Sequence, residues 1–309
     1  MPPPVEQHDD EALTAALRAG DERTFAVGAA FVQRQRRLAN PMIDLSLFRR
    51  PAFSAALGAN TLAFAVVFGV EVFIAQYLQL VLGFSPLEAG LWSVPAAAGF
   101  VVGSQLTAPI AARITPATLM LGGLTVALFG VALLTQVGAS GGPALVVAGS
   151  VILSVGMAPL FTLAADIAVG SVPPERAGAA SGISETSSEL GGAVGIALLG
   201  TIGTAVYRGR ADGTIPAEVP ADAAAGAGET LGGAVEAADT LPAALSADLL
   251  EPAREAFTQA LQVAATVSGV IVIAAALLVA TVLRRADETQ EPEESTAATA
   301  ELAPQGSCA

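Results

Sequence analysis

The sequence predicts an all-α integral membrane protein, a bundle of six transmembrane helices, and three observations support this fold class. Hydrophobic residues make up 53% of the 309 residues and charged residues 14%, whereas a soluble domain carries about 25% charged residues. The apolar residues are gathered into six runs, and a run of roughly 20 residues crosses a bilayer core of about 30 Å. Short groups of turn-forming residues separate the first five runs.

The six runs follow one another with one long interruption. They cover about 52–82, 87–111, 117–137, 143–169, 177–207 and 256–283, and the breaks between the first five have the sequences GFSP, RITP, GASGG and SVPPER. The fifth break, residues 208–255, is long and rich in alanine, glycine, proline and acidic residues. We expect it to form a loop with room for short surface helices.

These features divide the chain into five segments. We predict a polar cytoplasmic leader with an arginine-rich juxtamembrane part (1–50), a five-span membrane bundle (51–207), an extracytoplasmic acidic loop (208–255), a sixth span (256–285) and a disordered acidic cytoplasmic tail (286–309). Within the leader, TFAVGAAFV (24–32) is apolar but too short to cross a bilayer. It is typical of the end of a span whose beginning is absent.

The distribution of arginine predicts the orientation, because loops rich in basic residues stay cytoplasmic. With six spans, the arginines that fall on one side of the membrane are Arg34, Arg36, Arg37, Arg49, Arg50, Arg113, Arg176, Arg284 and Arg285. The breaks at 83–86 and 138–142, on the other side, carry no charge. Arg208, Arg210 and Arg254 are exceptions, but long acidic loops have little weight in this rule. We predict a multi-pass protein of the plasma (inner) membrane with both termini cytoplasmic.

The composition argues against an enzyme and against nucleic-acid binding. The chain has one histidine, His8, and one cysteine, Cys308, so neither a metal cluster nor a histidine base is at hand. Ser184, Ser187 and Ser188 have no histidine or lysine to activate them as nucleophiles. The arginines form no basic face for a nucleic acid. We therefore expect no catalysis, no metal and no cofactor.

Three stretches together resemble a known family. They are RRLANPMIDLSLFRRPAFSAAL (36–57), AQYLQLVLGFSPLEAGLWSVPAA (75–97) and ERAGAASGISETSSELGGAVGIALLGT (175–201). In this order and spacing they resemble the C-terminal half of a 14-span drug:proton antiporter of the major facilitator superfamily, the EmrB/QacA-like branch. The resemblance runs from about residue 24 to residue 285.

The resemblance implies a function and its partners. It implies the C-terminal half of the major facilitator fold and proton-coupled efflux of drugs or other hydrophobic or cationic small molecules. The partners would be the lipid bilayer, protons, a small-molecule substrate and either a second transporter half or a second copy. The alternative is a truncated or non-transporting membrane subunit that needs a partner half.

Polar residues inside the spans are the candidates for a proton or substrate pathway, because an ionisable group in a bilayer is costly and usually faces a cavity or a partner. Glu71 lies about two-thirds along the first span. The other polar candidates in the first two spans are Asn60, Gln76, Gln79 and Gln105. Glu71 would cycle between its protonated and ionised states during transport. Alternatively, it would stay protonated, or form a hydrogen bond to a neighbouring helix, without a role in transport. Gln105 would contact substrate or pair with a neighbour.

The fifth span allows two interpretations of Glu185 and Glu189. Gly178, Gly182, Glu185, Glu189 and Gly192 share one helical stripe, with Ile183, Leu190, Val194 and Leu198 roughly opposite. In the first interpretation this stripe lines the central pathway or packs beside it, its glycines let another helix approach closely, and the glutamates help to bind cations or move protons. In the second, TSSE (186–189) is a capping box, so the helix begins at Thr186 and both carboxylates lie in the cytoplasmic interface.

Two local arrangements have structural interpretations. Asp166 lies near the predicted cytoplasmic end of the fourth span, where we expect an ion pair with Arg113 or Arg176. Ser85 and Glu88 flank a proline at the start of the second span and predict a capping box. We assign Glu88 no transport role.

Overall fold

A computed structural model describes residues 47–170 and 172–283 of the chain. The short apolar stretch at 24–32, most of the leader, Arg284, Arg285 and the acidic tail at 286–309 lie outside the described residues. Among the described helices, six are long and apolar enough to cross a membrane. The predicted all-α bundle of six spans is therefore confirmed.

The first five long helices follow the predicted spans closely. They are α1 (Pro51–Gln76), which continues as a π-helical turn (Tyr77–Val81), α2 (Pro86–Ala111), α3 (Pro116–Leu134), α4 (Pro143–Gly170) and α5 (Ala177–Ala211). Two short 3-10 turns, Leu47–Arg49 and Pro174–Arg176, precede α1 and α5 in sequence. Proline opens each of the first four helices, because its fixed φ suits the first helical position and its missing N–H costs nothing there.

The predicted capping box at the start of α2 is confirmed. The backbone N–H of Ser85 donates to the Glu88 carboxylate at 2.9 Å, and the backbone N–H of Glu88 donates to Ser85 Oγ at 3.3 Å. Each bond satisfies a donor that the first turn of a helix leaves without a partner. The tight turn between α1 and α2 is thus fixed by local chemistry.

The segment between the fifth and sixth spans is largely helical. It contains α6 (Ala221–Glu229) and α7 (Leu231–Ala238), and the last long helix, α8 (Ala243–Leu278), continues as a π-helical turn (Val279–Leu283). The long helix thus begins at Ala243, inside the predicted loop. Tyr207 Oη on α5 donates to the carbonyl oxygen of Ala227 at 2.8 Å and ties α6 to the bundle.

The six long helices form two layers. Neighbouring helices in the first layer are in the order α2, α4, α1, α5, and we call this the front layer. Helices α3 and α8 pack behind it and against each other. The extensive contact between α1 and α5 is matched by a contact between α4 and α2. In the same way, the contact between α3 and α4 is matched by one between α8 and α1. This pattern is the one expected of two three-helix repeats, α1–α2–α3 and α4–α5–α8.

Small residues let α1 and α5 approach closely. A Cβ atom added at Gly195 would collide with the carbonyl oxygen of Ala65, and one added at Gly191 would collide with that of Thr61. In a membrane, where lipid offers helices no hydrophobic drive to associate, such close backbone contact is a principal source of packing energy. Glycine is therefore required at both positions of α5.

Candidate functional site

Glu71 lies on the front layer with its side chain exposed. It borders a small crevice between three helices, formed with Trp92 and Ser93 of α2 and with Val147 and Ser150 of α4. No hydrogen bond or ion pair involves the Glu71 carboxylate among residues 47–170 and 172–283. The structure therefore places this carboxylate at an opening between α1, α2 and α4, without a partner in the described part of the chain.

A row of four phenylalanines crosses the front layer beside Glu71. The ring centroids of Phe68 and Phe64 on α1 are 5.7 Å apart, and those of Phe64 and Phe161 on α4 are 4.6 Å apart. The row ends at Phe100 on α2, whose ring centroid is 5.9 Å from that of Phe161. We call these residues the aromatic row. Phe68 is 43% exposed and Phe100 36% exposed, so both ends of the row reach the surface.

The carboxylate and the aromatic row share one face of α1. Phe64, Phe68 and Glu71 are four and three residues apart, a spacing that aligns side chains on a helix. Aromatic faces attract cations, and a carboxylate attracts them more strongly. The sequence interpretation singled out Glu71 but missed the aromatic row, although the spacing of Phe64, Phe68 and Glu71 was visible in the sequence.

The interpretation of TSSE as a helix start is wrong. Helix α5 runs without interruption from Ala177 to Ala211, and Thr186 Oγ1 donates to the carbonyl oxygen of Gly182 at 2.8 Å, as a residue inside a helix does. Glu185 and Glu189 are both exposed, within the first half of this helix. At 1.5 Å per residue, Glu185 lies about 12 Å along the helix from Ala177.

Four of the five residues on the predicted stripe of α5 are exposed, namely Gly178, Gly182, Glu185 and Glu189. A Cβ atom added at Gly178 or Gly182 would meet no neighbour within 4 Å, so neither glycine serves close packing in the described part of the chain. Gly192 does face another helix, at the ring of Phe68. Ile183, expected on the lipid side, is buried, whereas the other three residues of that side are exposed as expected, namely Leu190, Val194 and Leu198.

Asn60, another of the pathway candidates, is buried between two helices. Its side chain is only 6% exposed, and its Nδ2 donates to Ser188 Oγ on α5 at 2.9 Å. Next to it, the hydroxyl oxygens of Thr61 and Ser187 are 2.6 Å apart. These two bonds join α1 to α5 beside the close contact at Gly191. Asn60 therefore links α1 to α5 in the structure.

The three candidate glutamines do not gather around Glu71. Gln79 Nε2 donates to the carbonyl oxygen of Ala75 within its own helix at 3.2 Å. Gln76 is exposed and lines a separate crevice of about 110 Å³, formed mainly by α1 and α5. Gln105 is exposed on α2, whereas Gly103 and Thr107, two residues to either side of it, are buried.

The predicted ion pair of Asp166 with Arg113 is not formed. Asp166 is exposed on α4, and no ion pair within 4 Å links it to Arg113 in the described part of the chain. Arg176 ends the 3-10 turn before α5. No group of three or more histidine, cysteine, aspartate or glutamate side chains that could hold a metal ion occurs among the residues that the structure describes.

Comparison with known proteins identifies the family. The family profile of the Major Facilitator Superfamily matches residues 5–196. This chain belongs to the major facilitator superfamily. It is therefore a multi-pass membrane protein of a transporter family, in agreement with the six described spans.

Two curated relatives match most of the chain. The multidrug efflux pump LfrA of Mycolicibacterium smegmatis is 39% identical over 275 residues, which are 89% of this chain and 54% of the pump. The tetracenomycin C resistance and export protein of Streptomyces glaucescens is 29% identical over 288 residues, which are 89% of this chain and 53% of that protein. The chain thus spans about half the length of both relatives.

A solved structure shares the fold. The bacterial homologue of the human lysosomal transporter Spinster, in an inward-facing and unoccupied conformation, superposes with a TM-score of 0.51 at 22% sequence identity. The match covers 79% of this chain and 51% of that chain. At this identity the likeness supports the arrangement of helices alone.

Proposed function

We propose that this chain is the C-terminal, six-span half of a 14-span drug:proton antiporter of the EmrB/QacA-like branch. The observation that carries the proposed exchange of drug for proton is the exposed Glu71 carboxylate beside the aromatic row on the front layer. The efflux and export functions named for the two relatives support a small-molecule substrate. The front layer would then face the substrate pathway, with α3 and α8 toward the lipid.

The proposed chemistry is an exchange of a proton for a hydrophobic cation at Glu71. An ionised carboxylate attracts a cation, and the neighbouring phenylalanine rings bind its apolar or aromatic part. A protonated carboxyl group has no charge and releases the cation. One carboxylate cannot bind a proton and a cation at the same time. If it binds the proton on one side of the membrane and the cation on the other, the movements of the two are coupled.

We propose an orientation in the plasma membrane with both termini cytoplasmic. The turn that contains Arg113 and the 3-10 turn that contains Arg176 follow the second and fourth spans, so both lie at the same end of the bundle. Glu185 and Glu189 would then lie in the cytoplasmic half of α5, exposed toward the pathway or its entrance.

The second candidate function is that of a membrane subunit that does not transport alone and needs a partner half or a second copy. Its specific support is the apolar surface of α2, with exposed large side chains along the whole helix, namely Leu87, Leu91, Trp92, Val94, Phe100, Val101, Val102, Leu106 and Ile110. A helix in contact with a second half would bury part of this surface.

Efflux of a fluorescent hydrophobic cation tests the proposal. The chain would be produced in cells that lack their own drug pumps, alone and together with the part of LfrA that it does not match. We expect dye efflux above the empty-vector level in at least one of the two cases, and its loss when a protonophore collapses the proton gradient. Efflux that persists after the collapse would refute proton coupling. No efflux in either case, with both chains present in the membrane, would favour the non-transporting subunit.

A further inference from the structure

A second cavity lies away from Glu71 and the aromatic row. It has a volume of about 1230 Å³ and lies at the end of the bundle where α1 ends. Its walls are one side of α8, the ends of α1 and α5, and the turn at 138–140 between α3 and α4. None of the residues proposed above for transport lines it.

Charges of both signs face this cavity. Arg210 from α5 and Arg254 from α8 contribute two positive charges, and Glu251 and Glu255 from α8 contribute two negative ones. No ion pair within 4 Å joins any of these four side chains to another residue in the described part of the chain. Their formal charges sum to zero, yet they do not neutralise one another by direct contact.

Two polar side chains of the wall are held in place by backbone groups. Arg254 Nε donates to the carbonyl oxygen of Leu80 at 3.2 Å, and Gln262 Nε2 donates to that of Val137 at 2.8 Å. Both side chains are half-buried. The two terminal nitrogens of Arg254 have no hydrogen-bond partner among residues 47–170 and 172–283 and remain available to a ligand. Such anchoring reduces the entropy that binding would cost.

The cavity lies beside the ends of membrane-spanning helices. Val81 ends the π-helical continuation of the first span, and the turn at 138–140 connects the third and fourth spans. Apolar side chains that suit acyl chains also line the cavity, namely Val81, Val206, Leu250 and Val263. A polar, charged wall beside an apolar edge at the end of a span is a suitable environment for the headgroup and upper chains of a phospholipid.

We propose that this cavity binds a zwitterionic headgroup that carries a phosphate and a primary ammonium group, as in phosphatidylethanolamine. Arg254 and Arg210 donate to the phosphate, and Glu251 and Glu255 accept from the ammonium group. A headgroup with only a negative charge would face the two carboxylates without a cation to offer them.

Lipid binding to the purified full chain tests this inference. Native mass spectrometry in detergent would compare phosphatidylethanolamine, phosphatidylglycerol and free phosphoethanolamine. We expect phosphatidylethanolamine to bind about tenfold more tightly than phosphatidylglycerol, the effect of one charge-assisted hydrogen bond. Equal binding of free phosphoethanolamine and the lipid would support the same headgroup chemistry with a soluble source. Equal binding of the two lipids would overturn the proposal.

Matched variants locate the site. Arg210→Gln and Glu255→Gln change exposed side chains of the cavity, so we expect both proteins to fold and to bind phosphatidylethanolamine about tenfold more weakly. Arg208→Gln and Glu236→Gln are controls, because both side chains are exposed but do not line the cavity. Unchanged binding in both cavity variants, or an equal loss in the controls, would overturn the proposal.

Discussion

At the scale of single residues, exposure and partners separate the polar candidates. Asn60 and Glu71 lie on the same helix, but Asn60 is buried and bonded to Ser188, whereas Glu71 is exposed without a partner in the described residues. A buried polar group with a hydrogen bond stabilises a helix pair. An ionisable group at an opening is suited to bind and release an ion.

Replacement of the Glu71 carboxylate by an amide is the direct test of this distinction. We expect Glu71→Gln to lower proton-driven dye efflux at least about tenfold, because an amide neither binds a proton reversibly nor attracts a cation by charge. Glu88→Gln is the matched control, since glutamine also completes a capping box. The measurement is the initial rate of efflux at equal protein levels. Equal rates in the two variants would remove Glu71 from the mechanism.

At the scale of helices, local sequence signals predicted where elements lie, and tertiary contacts decided which faces they bury. The first five spans were predictable from the length of their apolar runs, and the Ser85–Glu88 capping box from the chemistry of its side chains. Both signals are local in the sequence. The interpretation of Thr186 as a cap failed because the residues before it continue the helix. The sequence could not show that α5 packs on α1 through Gly191 and Gly195, because that contact depends on Thr61 and Ala65, whose positions are not local information.

Alanine substitutions at two glycines of α5 test the close packing of α1 on α5, because we expect one to lower the stability and the other not to. Gly195→Ala places a methyl group against the carbonyl oxygen of Ala65, and we expect a loss of about 1–3 kcal/mol from overpacking. Gly182→Ala meets open space, so the higher helix propensity of alanine should leave stability unchanged or raise it by up to about 1 kcal/mol. Thermal unfolding in detergent measures both. A Gly195→Ala protein as stable as the Gly182→Ala protein would contradict the close packing of α1 on α5.

At the scale of the whole molecule, the front layer and the helices behind it have different proposed environments. Helices α3 and α8 pack behind the front layer, and α8 exposes Val270, Ile273 and Leu277, which suit lipid. The front layer exposes Glu71 and both ends of the aromatic row, Phe68 and Phe100. The chain spans about half the length of the two relatives described above. We propose that the front layer lines a water-accessible pathway, which is completed by a second half or a second copy.

Cysteine labelling in the membranes of the producing cells tests that claim most directly. The only cysteine of the sequence, Cys308, would be replaced by serine, and single cysteines would be placed at Phe68 on the front layer and at Val270 on α8. Phe68 is 43% exposed and Val270 63% exposed, so exposure in the structure alone would favour labelling at Val270. A thiol reacts with a small hydrophilic maleimide as the thiolate, which forms in water and not in lipid. We predict labelling of Phe68→Cys, slowed by a transported cation, and none of Val270→Cys. Labelling of Val270→Cys alone, or of neither, would contradict a pathway along the front layer.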